Sequence, residues 1–422
     1  SDAAYQGITA RIDGNSGNSL TASISDNETG LLEWVPASGS AGEGANNATS
    51  VRLDITAIPA GGTPTLEGTI GANIGLTLGT AEAADLGAVT PSVTFTNSSD
   101  LATAPVTAAH NSDTLVEGNE SYSLALSITS APLGTSVSPT AFAGTITDAQ
   151  SATVALTGTA TVSESVVSTP LTVTLTAGAG NTLEGAASVV VNLTDGTATY
   201  AGGTGDYFFN GPNNTVTVNF AAGSANGATQ NVPVNIREDV LVEASETFTA
   251  GLGATTGAIS AAGPGATLTI NDNEAAAVSF QAPTSTVGEA TTPHNVNALL
   301  TITAVGSGTA ALSAPLTVAV TQTPGTAATP ADYTLSSTSV TFAAASQSAA
   351  TQPIAIAIVD DTITESNETF TLGFGAVTGT GTASGTHTVT ITDNDTPGIT
   401  VTESGGSTSV VEGGANDSYS VV

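Results

Sequence analysis

An acidic run with a fixed internal order, D-x-[LI]-x-E-x-x-E followed at once by [ST]-[FY], occurs three times in this chain. The copies run from Asp113 to Tyr122, from Asp239 to Phe248 and from Asp361 to Phe370, and their first residues lie 126 and 122 positions apart. Carboxylates are hard oxygen donors. Two of them ~4 Å apart repel by roughly 4 kcal/mol at an effective dielectric near 20, so a gathered group cannot stay fully ionised without a counter-cation. Calcium accepts about six to eight oxygens at irregular angles, which suits ligands drawn from several loops; the strict octahedron of magnesium suits them less. A carboxylate pattern held in register over such intervals marks a repeated module with a repeated oxygen-rich site.

Other landmarks keep the same period. The strand endings Ser25-Asp26-Asn27-Glu28, Thr147-Asp148-Ala149-Gln150, Asn271-Asp272-Asn273-Glu274 and Thr392-Asp393-Asn394-Asp395 place an Asp at intervals of 122, 124 and 121 residues. Glu43, Glu164, Glu289 and Glu412 recur at intervals of 121, 125 and 123. Asp206-Tyr207 and Asp332-Tyr333 match each other, and the first unit has Asp85-Leu86 in that place. The chain thus reads as whole modules over 29–149, 150–273 and 274–394, flanked by partial modules at 1–28 and 395–422. Residues 4–28 align with the last two strands of a module, and 397–422 with the first strand and part of the second. Such halves leave sheet edges to be filled. Either they continue into adjacent modules of a longer chain, the reading favoured by flanks too short to add up to one module, or copies of the chain complete each other. In the second case Tyr5 to Asp26 of one copy pair with Ile399 to Val422 of the next in an open head-to-tail filament. An ion at Asp272 or Asp393, on the module boundaries, would bridge and stiffen the junction.

Composition narrows the function. Three Arg, no Lys and 36 acidic residues give a formal charge of −33, which repels nucleic acid and anionic membranes and attracts divalent cations. Only 9% of residues are charged, so the acids are concentrated in the repeated clusters and not spread as a solvating coat. The absence of Cys excludes disulfides, thiolate metal sites and Cys nucleophiles, and the absence of Lys excludes a P-loop and Lys-to-Asn isopeptide staples. No apolar run approaches the ~20 residues of a membrane-spanning helix. This Ala/Thr/Gly/Ser-rich composition fits an exported bacterial surface protein. The three histidines, His110, His294 and His387, stand at unrelated places in the repeat, beside turns or in an edge-like Thr run. They are expected at the surface, and no enzyme is expected.

Alternating runs flank each acidic cluster: Val232/Val234/Ile236 and Phe248/Ala250/Leu252 in the second module, Ile354/Ile356/Ile358 and Phe370/Leu372/Phe374 in the third. Period-two alternation on both sides of a polar loop predicts two strands with one buried face. The i, i+4, i+7 spacing of Asp361, Glu365 and Glu368 would also suit a helix face, but the β-branched flanks and Gly-punctuated segments argue against it. About seven short strands per module imply an all-β chain of tandem antiparallel β-sandwiches. Trp34, the only tryptophan, is expected in the core or at a junction, and Tyr207-Phe208-Phe209 is the one aromatic cluster that could serve ligand binding.

These elements together, a Glu near the first strand, a mid-module Asp-Tyr, the acidic loop and a terminal D-N-[DE], resemble the Calx-beta domain, over nearly the whole chain. The resemblance implies an immunoglobulin-like sandwich that binds Ca2+ at one end. Carried onto this sequence, it implies Glu289, Asp332, Asp360, Asp361, Glu365, Glu368, Asp393 and Asp395 as ligands in the third module, with the Ile363 carbonyl. In the second it implies Glu164, Asp206, Glu238, Asp239, Glu243, Glu246, Asp272 and Glu274, with the Leu241 carbonyl. In the first it implies Glu43, Asp85, Asp113, Glu117, Glu120 and Asp148. There Ser112 stands in place of Glu238 or Asp360, and Ala149-Gln150 in place of the terminal Asn-acid pair, so a weaker site or fewer ions is expected. Two functions fit: a calcium-stiffened extracellular rod or filament, favoured because most aromatics fall at strand-register positions, and a stalk or ligand-binding array of a cell-surface adhesin.

Overall fold

The side chains that alternate in the sequence alternate in burial, because successive residues of a strand point to opposite faces of the sheet. Ile354, Ile356 and Ile358 ahead of the third acidic run, and Phe370 and Leu372 behind it, are all buried, as are Val232, Val234, Ile236, Phe248 and Ala250 in the second. In the computed structural model, which describes residues 28–56, 64–132, 134–158, 161–201, 205–209, 213–403, 411–414 and 419–421, the regular structure is β throughout and no α-helix occurs among the described residues. The terminal strands expected within 1–27 lie outside the described residues. At the other end Val401–Glu403 pairs antiparallel with Tyr419–Val421.

Three two-sheet sandwiches follow one another. In the third, one five-stranded sheet runs Tyr333–Leu335, Thr351–Ile358, His294–Thr303, Ala275–Phe280, Thr382–Ala383. The facing sheet runs Thr284–Gly288, Thr386–Thr392, Glu368–Thr378, Leu316–Pro324, Ser339–Phe342. The other two sandwiches repeat this order, and each has its own core cluster of buried residues. Each sandwich therefore has ten strands where the sequence suggests about seven. Of the three extra strands, one arises because the opening segment breaks in two, Ala275–Phe280 running parallel to Thr382–Ala383 in one sheet and Thr284–Gly288 parallel to Thr386–Thr392 in the other; the other two are the short edge strands Tyr333–Leu335 and Thr382–Ala383.

Several aromatic and histidine positions settle into this frame. Trp34 is buried against Phe142, with ring centroids 5.7 Å apart. The Tyr of each Asp-Tyr pair is a core anchor: Tyr207 stacks on Phe248 at 3.9 Å and Tyr333 on Phe370 at 3.7 Å. Tyr207 and Phe209 are buried and Phe208 lies under the Arg237 guanidinium, so this trio is not an exposed aromatic cluster. The histidines correct the expectation of surface placement. His110 and His387 are buried, because each falls on the inward phase of its strand, His110 with Val106 and Ala108, His387 with Val389 and Ile391. His110 Nε2 lies 3.2 Å from the Tyr122 hydroxyl, while Ser285 Oγ lies 2.9 Å from His294 Nε2 and 2.8 Å from His387 Nε2.

Candidate metal centre

The acidic run is a crossover from one sheet to the other, for example from Thr351–Ile358 to Glu368–Thr378, and it lies at one end of its sandwich. Four devices, each present three times, fix the carboxylates there. The first Asp of the run bends the chain by accepting the N–H two residues on: Asp113 from Leu115, Asp239 from Leu241 and Asp361 from Ile363, each at 2.7 Å. This is the Asx-turn geometry that short acidic side chains favour. The Asp closing the last strand reaches back to the loop, Asp148 accepting Glu117 N–H at 2.8 Å, Asp272 accepting Glu243 N–H at 2.6 Å and Asp393 accepting Glu365 N–H at 2.6 Å. Its other oxygen accepts the N–H of residue 150, 274 or 395. The mid-module Asp85, Asp206 and Asp332 accept Glu82, Thr199 and Ala328 N–H at 2.5, 2.7 and 2.5 Å. Finally, the main-chain N–H groups of Glu43, Glu164 and Glu289 donate to the carbonyls of Thr147, Asn271 and Thr392, setting these Glu beside the terminal Asp.

Five groups of three carboxylates result among the described residues, the ligand atoms of each lying within 4.8 Å of one another. The second module has Asp206, Glu243, Glu246 and, beside them, Glu164, Asp272, Glu274. The third has Asp332, Glu365, Glu368 and Glu289, Asp393, Asp395. The first has Asp85, Glu117, Glu120 alone. At the place of its second group Glu43 and Asp148 meet the amide of Gln150, whose Nε2 donates to the Asp113 carbonyl at 2.8 Å. Its loop differs too: Gly118 has a φ of +101°, open to glycine, and adds a second N–H to Asp148, where the other modules carry Ala244 and Ser366.

The remaining sequence-derived candidates stand around these groups. Asp113, Asp239 and Asp361 are engaged in their turns, and Asn273 and Asn394 Nδ2 donate to Glu238 and Asp360. At the Leu241 loop the main chain of the next module bonds the Val240 and Val242 oxygens, and Ile363 is exposed.

The donor set fits a hard cation. Glu120, Glu164, Glu274 and Glu289 are each more than nine-tenths buried, and one carboxylate oxygen of each has no hydrogen-bond partner. A buried acceptor left so costs roughly 1–3 kcal/mol, and more when charged. Burial, followed by the neighbouring acids, pushes Glu120 and Glu164 up to about 8 and Glu117, Glu246, Glu274 and Glu368 up to about 7, against an ordinary value of 4.5.

The sign of the pH dependence follows. Folded-state values above the unfolded ones give stability that is present below about 4.5 and lost as pH rises through about 7 to 8, because the native state holds the extra protons. Cation-free protein is expected to melt several degrees lower at pH 8.5 than at pH 5, and saturating calcium, which binds the ionised form, is expected to flatten or reverse that slope. Melting curves across this range with and without calcium check it; a cation-free melting temperature that rises with pH would overturn the assignment of burial as the dominant cause.

The sites lie against the module junctions, and the structure adds residues that the motif does not single out. Leu115–Val116 pairs parallel with Thr182–Leu183 of the second module, and Leu241–Val242 with Ala311–Leu312 of the third. Val116 and Val242 are 1% exposed and belong to the core of the module that follows. The sequence signal is the non-acidic position between the carboxylates, Val in both, Thr364 in the third copy. In addition Glu274, at the module boundary and grouped with Glu164 and Asp272, accepts the N–H of Val305, a loop residue of the third module, through Oε1.

An all-β array of immunoglobulin-like sandwiches with carboxylates gathered at one end of each is thereby defined as a class. A profile of the Calx-beta domain matches residues 60–154, 147–274 and 271–395, and the chain belongs to the Calx-beta domain family. Among solved structures it is similar to CBD12 from CALX1.2, at 18% identity over 53% of this chain and 80% of that one, with a TM-score of 0.25. The calcium binding domain CBD12 of CALX1.1 matches at 17% identity over 56% and 98%, TM-score 0.26, and the Yersinia pseudotuberculosis adhesin InvE at 19% over 57% and 58%, TM-score 0.25. No curated protein matches the chain.

Proposed function

We propose that this chain is an extracellular structural protein in which calcium, held by the carboxylate groups at the sandwich ends, stiffens a rod of stacked modules. The observation that carries this reading is that the orphaned, buried oxygens of Glu120, Glu164 and Glu274 belong to carboxylate groups gathered around crossover loops whose Leu115–Val116 and Leu241–Val242 pair with the following module. Asp206, Glu243, Glu246 and Glu164, Asp272, Glu274, with their third-module counterparts, would hold the ions, and the ion would supply the positive charge these acids lack. With three Arg and no Lys against 36 acidic residues, the chain has few cations of its own to compete with calcium for the acids. No helix among the described residues is long and apolar enough to cross a membrane. The reading as a ligand-binding array has weaker support, since Tyr207 and Phe209 are core residues. Head-to-tail joining of copies extends the same reading to a filament, with Ile399 to Val422 meeting Tyr5 to Asp26; most of those residues lie outside the described ones.

Calcium calorimetry on the whole chain, with E120Q, E246Q and E368Q each removing one acid, tests the reading together with small-angle scattering and electron microscopy. Calcium is expected to bind, to narrow the distribution of dimensions, and to bind with higher stoichiometry in modules two and three than in module one, where Gln150 and Ser112 replace acids. A chain that takes up no calcium, or whose first module takes as many ions as the third, would overturn it.

A further inference from the structure

We propose that the cation site of the first module is shared with the second: Glu184, a residue of the second module, joins Asp85, Glu117 and Glu120 as a ligand across the junction. This rests on the reading that these groups bind calcium. The parallel pairing of Leu115–Val116 with Thr182–Leu183 sets the register, and the next residue, Glu184, donates its N–H to the Val116 carbonyl at 3.2 Å. The same register therefore brings the Glu184 side chain alongside Glu117. Its charge acts on both Glu117 and Glu120, and it feels Asp85, Asp113 and Glu82 in return. Glu82 sits on the Asp85 loop, its N–H held by that carboxylate. Into this group points Glu120, more than nine-tenths buried, with one oxygen lacking a hydrogen-bond partner.

The second junction is the built-in contrast. There the register places Ser313 where Glu184 stands, and Ser313 donates both its N–H and its hydroxyl to the Val242 carbonyl, at 3.2 and 2.8 Å. The second module has two groups, one of them closed by Glu274 at the module boundary, whereas the first has one group, to which Glu184 would add a carboxylate. A cation at Asp85, Glu117 and Glu120 would then hold two modules by ligands from both, and its affinity would depend on how the modules sit together.

The chain has no Cys, so introduced cysteines report on chosen positions alone. Spin labels at Thr94→Cys and Asn219→Cys read the first junction, and labels at Asn219→Cys and Thr341→Cys the second; all three positions are exposed. Calcium is titrated into the whole chain, with Glu184→Gln and Ser313→Glu compared in each labelled background. The expected result is that Glu184→Gln weakens the calcium response of the first junction about tenfold or more and leaves the second unchanged, a loss of the size seen on removing a supporting ligand. Ser313→Glu is expected to tighten the response of the second junction. A first junction that responds to calcium equally with and without Glu184 would overturn the shared site while leaving calcium binding intact. Absence of any calcium response or uptake in the unsubstituted chain would overturn both, and melting curves of each variant separate misfolding from loss of the ligand.

Discussion

Chelation of calcium is expected to lower the melting temperature of every module and to broaden the distribution of molecular dimensions, without dissolving the sandwiches. A ligand at 100 times its dissociation constant adds ~2.7 kcal/mol per site. A change of about 1 kcal/mol moves the midpoint of a domain near this size by roughly 4 °C, so one site is worth on the order of 10 °C. Modules two and three, with two carboxylate groups each, are expected to lose about twice what module one loses. The sandwiches persist because the acids occupy crossovers, whereas the cores rest on inward side chains such as Val173, Val189, Leu300 and Ile356, all fully buried. Scanning calorimetry and small-angle scattering, each with calcium and with chelator, decide the matter. Identical melting and identical dimensions in the two conditions would remove calcium from the architecture.

The second large effect is expected from a residue that belongs by sequence to one module and by packing to the next. Replacing Val242 with Asp sets an unpaired charge in the third core, a loss of roughly 3–5 kcal/mol, and Val242→Ala leaves a cavity costing about 2 kcal/mol. The neighbouring Leu241→Asp is expected to cost much less, since Leu241 is 36% exposed. Amide exchange is the measurement: protection should fall in Ala275–Phe280 and Leu316–Pro324 of the third module, further along the chain than the substituted loop. Loss confined to the second module would show that the valine serves its own sandwich.

The difference between Leu241 and Val242 also marks how far the sequence could be read. Alternation within a module is a local property, and it located the strands on both sides of each acidic run and the inward Phe248 and Phe370, whereas the burial of Tyr207 and Tyr333 on those rings depends on contacts across the sandwich. The meeting of Asp332 with Glu365 and Glu368, or of Asp85 with Glu117 and Glu120, was legible as far as the repeated motif runs. The stacking of one sandwich on the next leaves no period in the chain. The sequence therefore singles out neither Val116 and Val242 nor Glu184. The recurrence of Thr65-Leu66-Glu67 and Thr182-Leu183-Glu184, each Thr in an isolated bridge to a later loop, was the available sign that this segment has a fixed role. His110 and His387 were misplaced for a different reason: neighbouring turns and an edge-like Thr run suggested the surface, although both histidines keep the inward phase of their strands.

The pairing of the first and second crossover loops with the module after each means that the unit of repetition and the unit of folding are out of step. A polypeptide cut where the sequence repeats, beginning at 274, would carry all ten strands of the third sandwich and still lack the Val242 side chain that closes its core. Duplicating or exchanging modules at such a boundary swaps the lid of one core for that of another. Any rearrangement that keeps the array stable has to carry the preceding loop along, with the valine and the acids around it inherited as one piece.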